Sequence, residues 1–212
     1  MGNLIKSINV GGIDNIPVGI TTDRKLLWWT GWENGNIYQM DKSGNLIKTI
    51  NVAAIDNKPA GITTDGKNFW WIGQQNNNVY HMDKQGNIIN TINIAGIDNA
   101  PADITTDGKN FWFTGDQFDN IYQIDKSGNL IKSINIVGID REPTGITTDG
   151  KNFWWIGQQN DNIYQMDKSG NLIKTINIGG IEGLPACITT DRKNIWWIGI
   201  NNRMINMMDK NC

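Results

Sequence analysis

A repeat of 42 residues takes up almost the whole of this 212-residue chain. Its windows open GNLIKSINV, GNLIKTINV, GNIINTINI, GNLIKSINI and GNLIKTINI, at Gly2, Gly44, Gly86, Gly128 and Gly170. Only Met1 and Cys212 fall outside, so one domain of five repeats (2–43, 44–85, 86–127, 128–169, 170–211) is expected. Repeats of roughly 40–50 residues point to propeller blades or helical arrays. The helical option fails because Gly, Pro and Asn-rich breaks recur too often for paired helices. Between the breaks lie short β-favouring runs. The second window reads as strand A at 60–65 (AGITTD), B at 68–73 (NFWWIG), C at 78–83 (NVYHMD) and D at 87–94 (NIINTINI). The turns DGK and DKQGN carry hairpin chemistry.

Four antiparallel strands per repeat is a propeller blade. The expected fold is therefore an all-β, five-bladed β-propeller. The chain starts on a D strand and ends after a C strand. Residues 3–10 should then pair beside 204–209 and close the ring, removing a loose edge.

Paired aromatics recur, as in NFWWIGQQN at 152–160. Neighbouring strand residues face opposite sides. A Trp-Trp pair therefore suits a blade covered on both faces. Burying one Trp removes about 150–250 Å² from water, worth roughly 4–6 kcal/mol at most. The pairs Trp28/Trp29, Trp70/Trp71, Trp112/Phe113, Trp154/Trp155 and Trp196/Trp197 are expected to be core. A sugar-binding platform is the alternative.

Composition narrows the function. The formal net charge of −2 argues against a nucleic-acid partner. No apolar run of about 18 residues suggests a membrane span. The opening MGNLIKSINV lacks a signal-peptide pattern, and Lys6 stands where a myristoylation motif needs Ser or Thr. Two cysteines without CxxC lean towards a reducing, cytoplasmic setting. Cys187 should sit at the top of strand A and Cys212 at the bottom, roughly 17 Å away. A disulfide needs Cα atoms within about 7 Å, so both thiols are expected free.

The segment P-x-G-I-T-T-D-G-K-N-F-W-W, followed by N-I-Y-Q-M-D-K-S-G-N-L-I, resembles blades of the NHL and streptogramin-lyase propellers. It is also similar to blades of glutaminyl-cyclotransferase-type propellers. The likeness covers every repeat and speaks to fold. Resemblance to the lyases implies a catalytic His with metal-binding acidic partners. This chain has one histidine, His81, where other repeats carry Gln39, Gln123, Gln165 and Met207. No catalytic residue carries over. Five-bladed tachylectin-type lectins share the blade number but not the sequence pattern.

The A–B and C–D turns hardly vary between repeats, whereas the B–C and D–A connections do. Both variable connections should emerge on one face, the top, where loops on a rigid scaffold carry binding. The candidate ligand-binding residues there are Trp32, Glu33, Gln74, Gln75, Asp103, Asp116, Gln117, Phe118, Gln158, Gln159, Asn201, Asn202 and Arg203. Acids outnumber bases on this face, which would favour cations or basic partners. Alternatively Asp14, Asp56, Asp98 and Asp140 cap their own loops as Asx-turns.

Asp103 and Cys187 replace Gly19, Gly61 and Gly145 two residues after each proline, near the expected top mouth of the channel. The invariant Thr-Thr-Asp runs could ring a channel ion, or close turns and join blades. No G-x-S-x-G, P-loop or HExxH occurs. The expectation is a monomeric, non-catalytic recognition module without cofactor or metal, taking a protein or glycan at its top face. The alternatives are a lectin with one site per blade, or a lyase-like or cyclotransferase-like enzyme.

Overall fold

The computed structural model describes residues 3–181 and 184–210. Strand β1 (Leu4–Asn9) precedes the first complete blade, β2 (Pro17–Thr22), β3 (Leu26–Gly31), β4 (Asn36–Asp41) and β5 (Leu46–Asn51). Blade two is β6 (Pro59–Thr64), β7 (Asn68–Gly73), β8 (Asn78–Asp83) and β9 (Ile88–Asn93). Blade three is β10 (Pro101–Thr106), β11 (Phe111–Gly115), β12 (Asn120–Ile124) and β13 (Leu130–Asn135). Blade four is β14 (Pro143–Thr148), β15 (Asn152–Gly157), β16 (Asn162–Asp167) and β17 (Leu172–Asn177). Blade five is β18 (Pro185–Thr190), β19 (Asn194–Gly199) and β20 (Met204–Asp209), completed by β1.

The five four-stranded sheets are antiparallel and each runs in simple meander order. The first strand of each blade is innermost, and β2, β6, β10, β14 and β18 adjoin in a ring around the axis. The N-terminal strand closes the propeller as the sequence implied. Ile8 faces Ile205 and Ser7 faces Asn206 across β1 and β20, and the Ser7 hydroxyl donates to Asn206 Oδ1 at 2.8 Å. Among the described residues no helix is long and apolar enough to cross a membrane.

The aromatic pairs are core. Their exposures run from 0 to 8 %, and alternation of the strand sends the two rings to different neighbours. The first ring packs on the following blade: Trp28 on Phe69 at 4.4 Å and Trp112 on Phe153 at 4.5 Å. The second stacks on a tyrosine of its own blade, as in Trp29 on Tyr38 (4.3 Å) and Trp155 on Tyr164 (4.4 Å). Packing on both faces leaves no aromatic platform here for a sugar.

At the bottom face the Thr-Thr-Asp runs close turns. Thr64 Oγ1 donates to Asn68 O at 2.7 Å and accepts from Gly66 N at 3.0 Å. Asp65 Oδ1 accepts the backbone N–H groups of Lys67 and Asn68. The same aspartates tie blades together. Lys84, Lys168 and Lys210, each in a turn after a third strand, pair with Asp23, Asp107 and Asp149 of the preceding blade at 3.2, 3.1 and 2.9 Å. Lys42 pairs with Asp191 across the closure at 2.6 Å. Partly exposed pairs of this kind contribute about 0–1 kcal/mol each, so they serve alignment more than strength. Lys126 departs from the pattern: it donates to Thr106 Oγ1 and lies 3.6 Å over the Phe111 ring.

Candidate functional site

The top face is built from the loop entering each first strand and the loop between its second and third strands. These two loops are locked together by buried aspartates. Asp14 Oδ1 accepts Ile16 N at 3.0 Å, while Oδ2 accepts the Tyr38 hydroxyl at 3.1 Å and Asn34 N at 3.3 Å. Asp98 does the same with Ala100 N and the Tyr122 hydroxyl, and Asp140 with Arg141 N and the Tyr164 hydroxyl. Asp56 holds Lys58 N and Asn76 N. All four are 1–2 % exposed, so they are internal caps rather than surface charge. Burial raises the tyrosine pKa values, that of Tyr164 to about 12. Blade five changes both partners at once, with Glu182 for the aspartate and Asn206 for the tyrosine. Glu182 lies outside the described residues.

Several candidate side chains bond within this lock. The Glu33, Gln75 and Gln117 side chains accept from Asn15 N, Asn57 N and Asn99 N at 3.3, 3.4 and 3.0 Å. Asn202 Oδ1 accepts Met204 N at 3.1 Å. Arg203 adopts φ 56° and its carbonyl accepts Val10 N. Gln159 and Asn201 are exposed on the loops of blades four and five. Phe118 stands 51 % exposed at the rim of blade three.

The centre of the face is a funnel of about 160 Å³. Its inner ring is the residue after each proline: Val18, Ala60, Ala102, Thr144 and Ala186. The residue after each second-strand glycine supplies the wider ring, and here symmetry breaks. Blades two and four present Gln74 and Gln158, and blades one and five, which adjoin, present Trp32 and Ile200. The glutamine amides are held by the next blade, donating to Pro101 O at 3.0 Å and Pro185 O at 3.2 Å. Their side-chain carbonyl oxygens remain as acceptors. Lys58 sits 5.1 Å over the Trp32 ring, whose buried Nε1 has no partner among the described residues.

Blade three has Asp116 at this repeat position, exposed and outside the funnel lining. Desolvation within its loop, and then the charges of Glu142, Asp119 and Asp98, push its carboxyl up.

Asp103 is not on the face. It is 1 % exposed and lies within the channel. Its Oδ2 accepts Ile146 N and its Oδ1 accepts Ile104 N, both at 2.8 Å. The buried Cys187 thiol and the Ile188 N–H lie near enough to favour its charged form. Burial nonetheless pushes it up to about 7, and burial with the Asp103 charge raises Cys187 as well. Cys187 is free and buried, and its Sγ accepts Ile20 N at 3.2 Å. The distance expected to Cys212 falls outside the described residues. The inner strands approach so closely here that a Cβ at Gly145 would meet Cys187 Cα at 2.9 Å. The glycines at this level are therefore packing requirements.

His81 lies on β8, flat against Trp70 at 4.4 Å and 10°, where burial lowers its pKa. Among the described residues no three His, Cys, Asp or Glu side chains are grouped to hold a metal ion.

Two features escaped the sequence reading. The inner funnel ring was visible only as a variable residue after proline. The turns after the first strands, read as nearly invariant, hold Arg24 and Arg192 where Gly66, Gly108 and Gly150 stand elsewhere.

No protein-family model matches the chain, and no curated protein matches it. Solved structures do. Myxococcus xanthus glutaminyl cyclase aligns with a TM-score of 0.78 at 8 % identity, covering 98 % of this chain and 94 % of that one. Virginiamycin B lyase from Staphylococcus aureus aligns at 0.59 and 18 % identity, covering 99 % and 89 %. A nidogen/laminin complex aligns at 0.64 and 19 %, covering 91 % and 75 %. At these identities the likeness establishes the propeller fold, shared by a lyase, a cyclase and a binding protein.

Proposed function

We propose that this propeller is a non-catalytic recognition module whose ligand seats in the top funnel. The observation that carries the reading is the broken symmetry of the wider ring. Trp32 and Ile200 form an apolar wall on two adjoining blades, and Gln74 and Gln158 supply acceptor groups beside it. A concave apolar patch with a few oriented polar groups is the usual form of a binding site. The funnel is small, so it suits one projecting group: an apolar side chain of a protein ligand or one sugar ring.

A lectin site on every blade has weaker support. Gln75 and Gln117 are used in closing loops, and among the loops between second and third strands only Trp32 and Phe118 are aromatic. An enzymatic reading draws on Asp116, whose raised carboxyl neighbours Glu142 and Asp119. Among the described residues the funnel lining holds the Thr144 hydroxyl but no histidine, cysteine or carboxylate.

Screening the chain and its Trp32→Ala variant on glycan and peptide arrays tests the proposal. Hits should vanish in the variant and persist in Phe118→Ala. Hits that survive Trp32→Ala would overturn the funnel as the site.

A further inference from the structure

The opposite mouth of the channel carries its own departure from the repeat. Three blades turn from first to second strand through Thr-Thr-Asp-Gly, with Gly66, Gly108 and Gly150 at φ 91, 89 and 94°. Blades one and five turn through Thr-Thr-Asp-Arg, and Arg24 and Arg192 hold φ 77 and 85°. That left-handed conformation disfavours any residue with a Cβ. A Cβ at the three glycines would meet nothing within 4 Å, so space does not restrict the site; the backbone conformation does. The substitution therefore works against local preference twice, on two blades that adjoin.

Both arginines line one cavity of about 610 Å³ at the bottom mouth. Arg24 also borders the adjoining lobe of about 440 Å³. The acids nearby are largely committed. Asp149 is held by Lys210, Asp191 by Lys42 and Asp23 by Lys84. Arg24, Arg192 and Lys151 take part in no ion pair among the described residues. The first lobe thus holds three uncompensated cations beside a neutralised pair. Asp65, which borders the second lobe, forms no ion pair among the described residues and makes that lobe the less positive. The threonine hydroxyls lining the cavity donate to their own turns, Thr148 to Asn152 O and Thr190 to Asn194 O, so the arginines dominate recognition.

The geometry points to an anion site at the bottom mouth, in which Arg24 and Arg192 hold the phosphate group of a small phosphorylated molecule. Guanidinium forks match phosphate oxygens two at a time. Unpaired cations in a concave wall concentrate the field on an incoming anion. A cavity of this volume admits an organic ligand beyond the phosphate itself. This site is separate from the top funnel and does not depend on it.

The test uses inorganic phosphate and pyrophosphate as probes, with thermal unfolding and calorimetric titration at matched ionic strength against chloride. Three proteins are compared: the wild-type chain, Arg24→Gly/Arg192→Gly and Arg24→Lys/Arg192→Lys. The glycine variant restores the turn used by three blades, so it should fold and melt higher than wild type without anion. Pyrophosphate should raise the wild-type melting temperature. Each arginine removed should weaken its binding about tenfold, and the lysine variant should fall between. Equal pyrophosphate binding by the wild-type and glycine proteins would overturn the proposal, as would failure of the wild type to bind either probe.

Discussion

Replacing Asp103 with asparagine keeps the shape of the side chain and removes its charge. In the wild type this carboxyl is 1 % exposed. Burial pushes it up to about 7, against the opposing pull of the Cys187 thiol and the Ile146, Ile104 and Ile188 N–H groups. The ordinary value is 3.8. Across that window the folded protein keeps a proton that the unfolded chain has released. Stability is therefore greatest below the window, falls as pH rises through it, and levels off above about 7. A gap of about three pH units corresponds to about 4 kcal/mol at most.

His81 acts in the opposite direction. Its pKa is lowered from 6.5 by burial, so its contribution rises with pH up to that value. Urea unfolding of wild type and Asp103→Asn from about pH 4 to about pH 8 isolates the aspartate, because His81 is common to both. The variant should gain on the wild type steadily between pH 4 and 7, by up to about 4 kcal/mol. Parallel stability curves for the two proteins would show that Asp103 titrates normally, and the account of a desolvated carboxyl in the channel would fail.

Trp154→Ala should cost about 3–5 kcal/mol in urea unfolding, the range for emptying an aromatic core site; lost ligand binding at unchanged stability would instead favour a platform. Removing residues 1–10 strips β1 from β20, and gel filtration should show a larger species or aggregates than the intact chain gives. Tyr164→Phe leaves Asp140 without its 2.8 Å hydroxyl donor and should cost about 1–3 kcal/mol. Asp107, Asp149 and Asp191 are held down to about 2 by backbone and lysine partners, despite partial burial. Their contribution is complete above 3.8 and lost as pH falls towards 2, so Lys168→Met should shift the acid unfolding midpoint upward.

The blade was legible because its signals are local. Alternation, Asp-Gly and Gly-Asn turns and a fixed period specify strands without reference to distant residues. Closure was legible too, since a chain that opens on the fourth strand leaves its last blade one strand short. Depth in the channel was not. The pairing of β10 with β11 shifts register between Pro101 and Ile104, and Asp103 sits inside that irregularity. The same irregularity recurs at this point in every blade, and the burial of a side chain placed there is set by how closely the inner strands of neighbouring blades approach, which no spacing rule announces. The local bonding of the loop amides was hidden for a related reason. Gln75 and Gln117 each accept one backbone N–H from the neighbouring loop, a pairing across some 18 residues that the sequence does not display. Arg24 and Arg192 were hidden by the sameness of the Thr-Thr-Asp context around them.

Stoichiometry tests the central functional claim most directly. An array hit titrated calorimetrically into the wild-type chain should bind at one site per chain, with binding abolished in Trp32→Ala. Several equivalent sites per chain that persist in Trp32→Ala would place recognition on the individual blades and contradict a single site in the funnel.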